Sequence, residues 1–132
     1  MLIADTNVIV AIVGGSRDPL GDEALRLVRD VEARGECLVV TEGVLVETAW
    51  VLSARFGMDA RGVSVALSEL LDSSAFVAWD AHLAVTALRI MADDPRLDLV
   101  DSLLAARDAL CDAWVVTFDR VLGRAVRRSH RP

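Results

Sequence analysis

Four short apolar runs constrain this chain more than any other feature. They are residues 2–4 (LIA), 37–40 (CLVV), 76–79 (FVAW) and 113–118 (AWVVTF). Each is too brief for a buried helix and is followed by a polar or capping residue, the pattern of strands buried on both faces. The intervals carry helical periodicity. Leu20, Ala24, Leu25, Leu27, Val28 and Val31 recur at helical spacing after a GGSRDP loop at residues 14–19, and that helix ends near Gly35. Thr41 is placed to cap a helix running to about Phe56, with Gly57 as its stop. Asp59 can cap the next, whose apolar face is Val63, Ala66, Leu67, Leu70 and Leu71. Further helices are expected from Asp80 to about Ala92, from Leu97 to Leu110 after a DDP turn, and, short and basic, from Arg120 to Arg128. Strands alternating with crossover helices predict a three-layer α/β/α domain with a short parallel sheet of four or five strands. At 132 residues, one domain covering 1–132 is expected, with residues 120–132 as a basic C-terminal segment.

Composition excludes several chemistries. All 14 basic residues are arginine, and lysine and tyrosine are both absent. Walker-type phosphate loops, Schiff-base catalysis and lysine or tyrosine acid–base roles are therefore closed to the chain. Cys37 and Cys111 sit in apolar segments without a CxxC pair or a nearby histidine, and both are expected to be buried, reduced thiols. No apolar run reaches the length of a membrane span, and the N-terminus has an acid at position 5 and no basic start. A cytoplasmic protein with no membrane partner is expected. Net charge is −6, yet residues 120–132 hold five arginines and no acid, either a solvated terminal helix or a phosphate contact.

What is left for chemistry is mainly carboxylate. In open parallel sheets, sites form beyond the carboxyl ends of the strands. Asp5 follows the first run and Asp119 ends the last, in VVTFDR. Each could be a helix cap, but the two would share one sheet edge if strands one and four are neighbours. Glu47 lies in GVLVETAWVL, a segment whose apolarity requires the carboxylate to reach water, a partner or a metal, or a narrow solvent stripe. Asp98 and Asp101 are three apart at a helix start, so Asp98 is either the N-cap or a ligand, and Asp101 faces inward beside Ser102. Converging carboxylates repel, and a divalent cation removes that cost. Oxygen donors without Cys or His suit Mg²⁺ or Mn²⁺, which can activate water against a phosphodiester. Thr6, Asn7, Ser102 and Thr117 stand beside these acids and could hold water or ligand.

Taken in order, ADTNV, LVETAWVL, LDLVDSLLAA and VVTFDR resemble the PIN domain family, and in particular its VapC-type toxin ribonucleases. The resemblance covers nearly the whole chain. It implies a Rossmann-like fold, Mg²⁺ or Mn²⁺ as cofactor, an RNA substrate, a cognate antitoxin and a homodimer. It implies an endoribonuclease with Asp5, Glu47, Asp101 and Asp119 as the acidic set and Asp98 as an extra ligand. Asp5 and Asp101 would be the principal metal ligands, Glu47 and Asp119 would complete the cage or orient water, and Arg120, Arg124, Arg127 and Arg128 would hold the RNA backbone. The final strand that many relatives carry is not evident in the terminal SHRP, where His130 is expected to be disordered.

Two other classes compete. A phosphatase or receiver-like phosphoacceptor using Asp5 would want a lysine near the phosphoryl group, and none exists. A non-catalytic module of the same fold, binding a cation and a protein partner or RNA, would keep the acids without turnover. His82, at a helix start, is expected to be a surface or cap residue.

Overall fold

The computed structural model describes residues 1–111, 113–126 and 129–130. The chain runs β1 (Leu2–Ile3), α1 (Thr6–Gly14), a 3₁₀ turn (Gly15–Arg17), α2 (Gly21–Ala33), β2 (Leu38–Val40), α3 (Glu42–Phe56) and α4 (Ala60–Asp72). It continues through β3 (Phe76–Ala78), α5 (Ala81–Asp93), α6 (Leu99–Leu110), β4 (Val115–Val116), α7 (Arg120–Ala125) and β5 (Ser129–His130). All strand pairings among the described residues are parallel. Leu2 and Ile3 lie against Leu38 and Val39, and β2 lies in turn against Phe76–Ala78. β4 pairs separately with β5, Val115 against Ser129 and Val116 against His130.

Among the described residues there are five short strands, in ladders of three and two. The strand unseen in the sequence does exist. Ser129–His130 pairs with β4, and His130 belongs to it rather than to a disordered end, because two backbone pairings hold a strand too short to show a side-chain pattern. Several boundaries also contract by one or more residues. The last apolar run pairs only over Val115–Val116, and α7 stops at Ala125 because Val126 is already extended at φ −93° and ψ 147°.

The described residues form two compact units, Met1–Ala81 and His82–Pro132. In the first, α1 packs on α2 and α3, and α4 packs on α3 and β3. Ile9, Val31, Val40, Leu45, Leu52, Val63 and Leu67 are buried. Local signals start and stop these helices as the sequence suggests. Thr41 accepts the Val44 N–H at 3.4 Å and Asp59 the Gly62 N–H at 2.8 Å. Gly57 ends α3 at φ +65°, a conformation that costs other residues a Cβ clash. Gly21 is fixed by space, since a Cβ there would lie 2.1 Å from the Gly15 carbonyl oxygen. In the second unit, Leu97, Ala105, Val115, Leu122 and Val126 form a cluster flanked by Ile90 and Val121.

Cys37 and Cys111 are both exposed, which corrects the expectation of buried thiols. Each sits at an element boundary, one residue before β2 and one after α6, where the chain has not yet entered the core. No helix among the described residues is long and apolar enough to cross a membrane.

Candidate active site

In the first unit the carboxyl end of β1 leads through Ala4 into α1. Asp5 occupies the N-cap position with extended backbone, φ −89° and ψ 159°, but its side chain accepts no helix N–H. Its backbone carbonyl receives the Val8 and Ile9 amides instead. The carboxylate is thus not used as a cap, and the Asn7 side-chain amide donates to its Oδ2 at 3.4 Å. Thr6, buried at the start of α1, donates its hydroxyl to Glu47 Oε2 at 2.6 Å. That bond crosses from α1 to α3 and fixes one oxygen of Glu47 near the residue that follows Asp5. Glu47 is otherwise exposed, as is Trp50 one turn on, so this face of α3 is open despite its apolar composition. Thr6 is therefore a holder of Glu47.

In the second unit Asp98 is the N-cap of α6, and its Oδ1 accepts the Asp101 N–H at 2.8 Å. A backbone hydrogen bond from Asp98 to the Asp101 carboxyl returns the contact, making a reciprocal capping box. Burial pushes the Asp101 carboxyl above the usual carboxylate range. The Asp98 charge adds to this, its backbone bond opposes it, and the Asp119 charge raises it further. Asp119 caps α7, its Oδ1 accepting from Val121 N at 2.7 Å and Leu122 N at 2.9 Å. Thr117 Oγ1 accepts the Asp119 N–H at 2.9 Å and so shapes the turn that presents this acid. Both Asp98 and Asp119 thus cap with Oδ1 and have a second carboxylate oxygen that the caps do not use.

Ser102 is wholly buried and its hydroxyl has no hydrogen-bond partner, a state shared among the described residues by Thr48. Arg120 and Arg124 are exposed on α7, while Arg127 and Arg128 lie outside the described residues. His82 is exposed in the first turn of α5. Within neither unit do three or more His, Cys, Asp or Glu side chains among the described residues gather closely enough to hold a metal. The donor chemistry nonetheless fits a hard cation. All candidate donors are oxygens, and in the second unit burial first, with the Asp98 and Asp119 charges added to it, disfavours ionisation of Asp101.

One polar cluster gave no signal in the sequence. Asp18, in the loop before α2, is buried, receives the Leu20 N–H at 2.9 Å and pairs with Arg55 at 2.9 Å. Arg17 and Arg55 both stand over the Phe56 ring, 4.8 and 5.2 Å from its centroid. The pair spans 37 positions, which no local pattern records.

The PIN domain family model matches residues 2–127, and the chain belongs to the PIN domain family. Its fold class is accordingly α/β, three-layer and PIN-like, with a parallel sheet. A PIN domain is a nuclease-type module that generally works with divalent metal ions. Neither the curated proteins nor the solved structures contain a match to this chain.

Proposed function

We propose that this PIN domain is an Mg²⁺- or Mn²⁺-dependent endoribonuclease and the toxin of a VapBC-type toxin–antitoxin pair. Residues 1–132 act as one functional domain, consistent with a family match that runs through both units. The observation that carries the reading is the state of Asp5. It stands where a capping aspartate belongs, yet its carboxylate accepts no helix amide and meets only the Asn7 side chain, while the adjacent Thr6 holds Glu47.

In this reading Asp5 and Asp101 hold the metal, with Asp98 and Asp119 contributing their spare oxygens, and Glu47 orients the attacking water. A bound Mg²⁺ or Mn²⁺ would supply Lewis-acid neutralisation and a more acidic water. Asp5, Glu47, Asp101 and Asp119 are the catalytic acids. Thr6 keeps Glu47 in one rotamer, Asn7 restrains Asp5, and Thr117 fixes the turn bearing Asp119. Ser102 supports α6 from within. Arg120 and Arg124 meet substrate phosphates, and Arg127 and Arg128 extend the same basic segment. A cognate antitoxin and a homodimer complete the proposed assembly, in the cytoplasm.

A specific observation favours a second reading. The capping box explains Asp98 and Asp101 without any metal, as a non-catalytic module would require. Incubating the protein with mixed RNAs in Mg²⁺, Mn²⁺ or EDTA, beside Asp5→Asn and Asp101→Asn, separates the two. Metal-dependent cleavage lost in both variants supports the nuclease. Cation binding without turnover supports the module. Suppression of cleavage by a small protein encoded beside this chain tests the toxin role.

A further inference from the structure

The segment Trp114–Phe118 exposes what a strand ordinarily hides. Alternate residues of extended chain face opposite ways, and here the inner side holds buried Val115 and half-buried Thr117. The outer side holds Trp114 at 64 %, Val116 at 64 % and Phe118 at 85 % exposure. Two aromatic side chains and a valine are thus exposed at alternate positions across the short strand β4. The stripe runs directly into Asp119 and then into α7, whose Arg120 and Arg124 are exposed.

We infer that this stripe is a stacking platform for unpaired bases of single-stranded RNA, with Arg120 and Arg124 receiving the phosphates beside it. The inference deepens the nuclease reading, on which it rests, by naming the residues that meet the bases of its RNA. Two observations choose this occupant. The first is continuity, because Phe118 is the immediate neighbour of Asp119, one of the proposed catalytic acids. The second is charge complementarity, because the stripe adjoins cations in a chain whose net charge is −6. Such a chain lacks a broad phosphate footprint, so contacts that do not depend on charge must supply part of the affinity. An aromatic face accepts any base, and bases present their faces only where they are unpaired. Trp114 and Phe118 therefore select for single strands rather than for sequence.

The test measures binding of the full chain in EDTA, by fluorescence anisotropy, to a labelled single-stranded RNA and to its blunt duplex. Single-stranded RNA is expected to bind the more tightly. Trp114→Ala and Phe118→Ala should each weaken it roughly tenfold. Trp114→Phe and Phe118→Trp should largely retain it, and duplex binding should not change. Both stripe residues are exposed, and circular dichroism of each variant verifies its fold. Unchanged single-strand affinity in both alanine variants overturns the inference. So does a loss of self-association, by sedimentation, with RNA affinity intact, which would make the stripe an interface between copies. Because binding is read without metal, stacking-dependent affinity in a protein that never cleaves RNA supports the platform and overturns the nuclease reading. Cleavage with stacking-independent affinity does the reverse.

Discussion

Asp119 is asked to do two things, and substitutions can separate them. Its Oδ1 accepts the Val121 and Leu122 amides at 2.7 and 2.9 Å, so it holds the first turn of α7. Replacing it with alanine removes both acceptors, at a cost of about 1 kcal/mol for an N-cap. For a chain of this size that corresponds to roughly 4 °C in Tm. Asn caps about as well as Asp, so Asp119→Asn should lose only the charge–dipole contribution, about 0.5 kcal/mol or less. RNA cleavage, which needs the charge, should be lost in both variants. Thermal unfolding by circular dichroism gives the first comparison and a metal-dependent cleavage assay the second. The reasoning fails if Asp119→Asn unfolds as early as Asp119→Ala, or if it cleaves like the wild type.

Thr6→Val should cost about 1–2 kcal/mol by deleting the hydrogen bond to Glu47, with reduced turnover, and Thr6→Ser should restore most of both; denaturant melts and single-turnover cleavage check this. Arg55→Ala should destabilise by roughly 2 kcal/mol, more than Asp18→Asn, because it leaves the buried Asp18 carboxylate without its cation; urea midpoints at constant m compare them. The Arg96 guanidinium beside Asp94 holds that carboxyl below its usual range, mainly through their hydrogen bond. A lowered folded pKa means the pair stabilises above the ordinary carboxylate value and ceases to as pH falls through the folded one, so carbon-detected NMR should show Asp94 titrating late on acidification and normally in Arg96→Ala. Gly21→Ala should destabilise by more than about 1 kcal/mol, read from Tm, since its Cβ has no space beside the Gly15 carbonyl.

Much of the fold was legible because its signals are local. Thr41, Gly57, Asp59 and Asp98 each mark a helix boundary through a hydrogen bond or a backbone angle that spans four residues at most. The first three apolar runs are strands for the same reason. β5 was not legible because Ser129 and His130 carry no alternation to read, and only pairing with β4 makes them a strand. The cysteines were misplaced because apolar neighbours in sequence say nothing about where an element begins. At the candidate site, residue type and spacing nominate the acids, but say nothing of their hydrogen-bond commitments. Asp98 and Asp119 cap helices, whereas Asp5, with equal claim by position, does not. The Thr6–Glu47 bond joins residues 41 positions apart, and the Asp18–Arg55 pair is of the same long-range kind. Such contacts follow from tertiary packing and leave no periodic trace.

The proposed nuclease requires Asp5, Glu47, Asp101 and Asp119 to act on one cation. Its most direct test is Mn²⁺ affinity, by calorimetry or electron paramagnetic resonance, for the wild type and for Asp5→Asn, Glu47→Gln, Asp101→Asn and Asp119→Asn. A single class of tight site that weakens roughly tenfold or more in each variant is expected. Wild-type affinity retained in all four, or no Mn²⁺ binding to the unaltered protein, would contradict it.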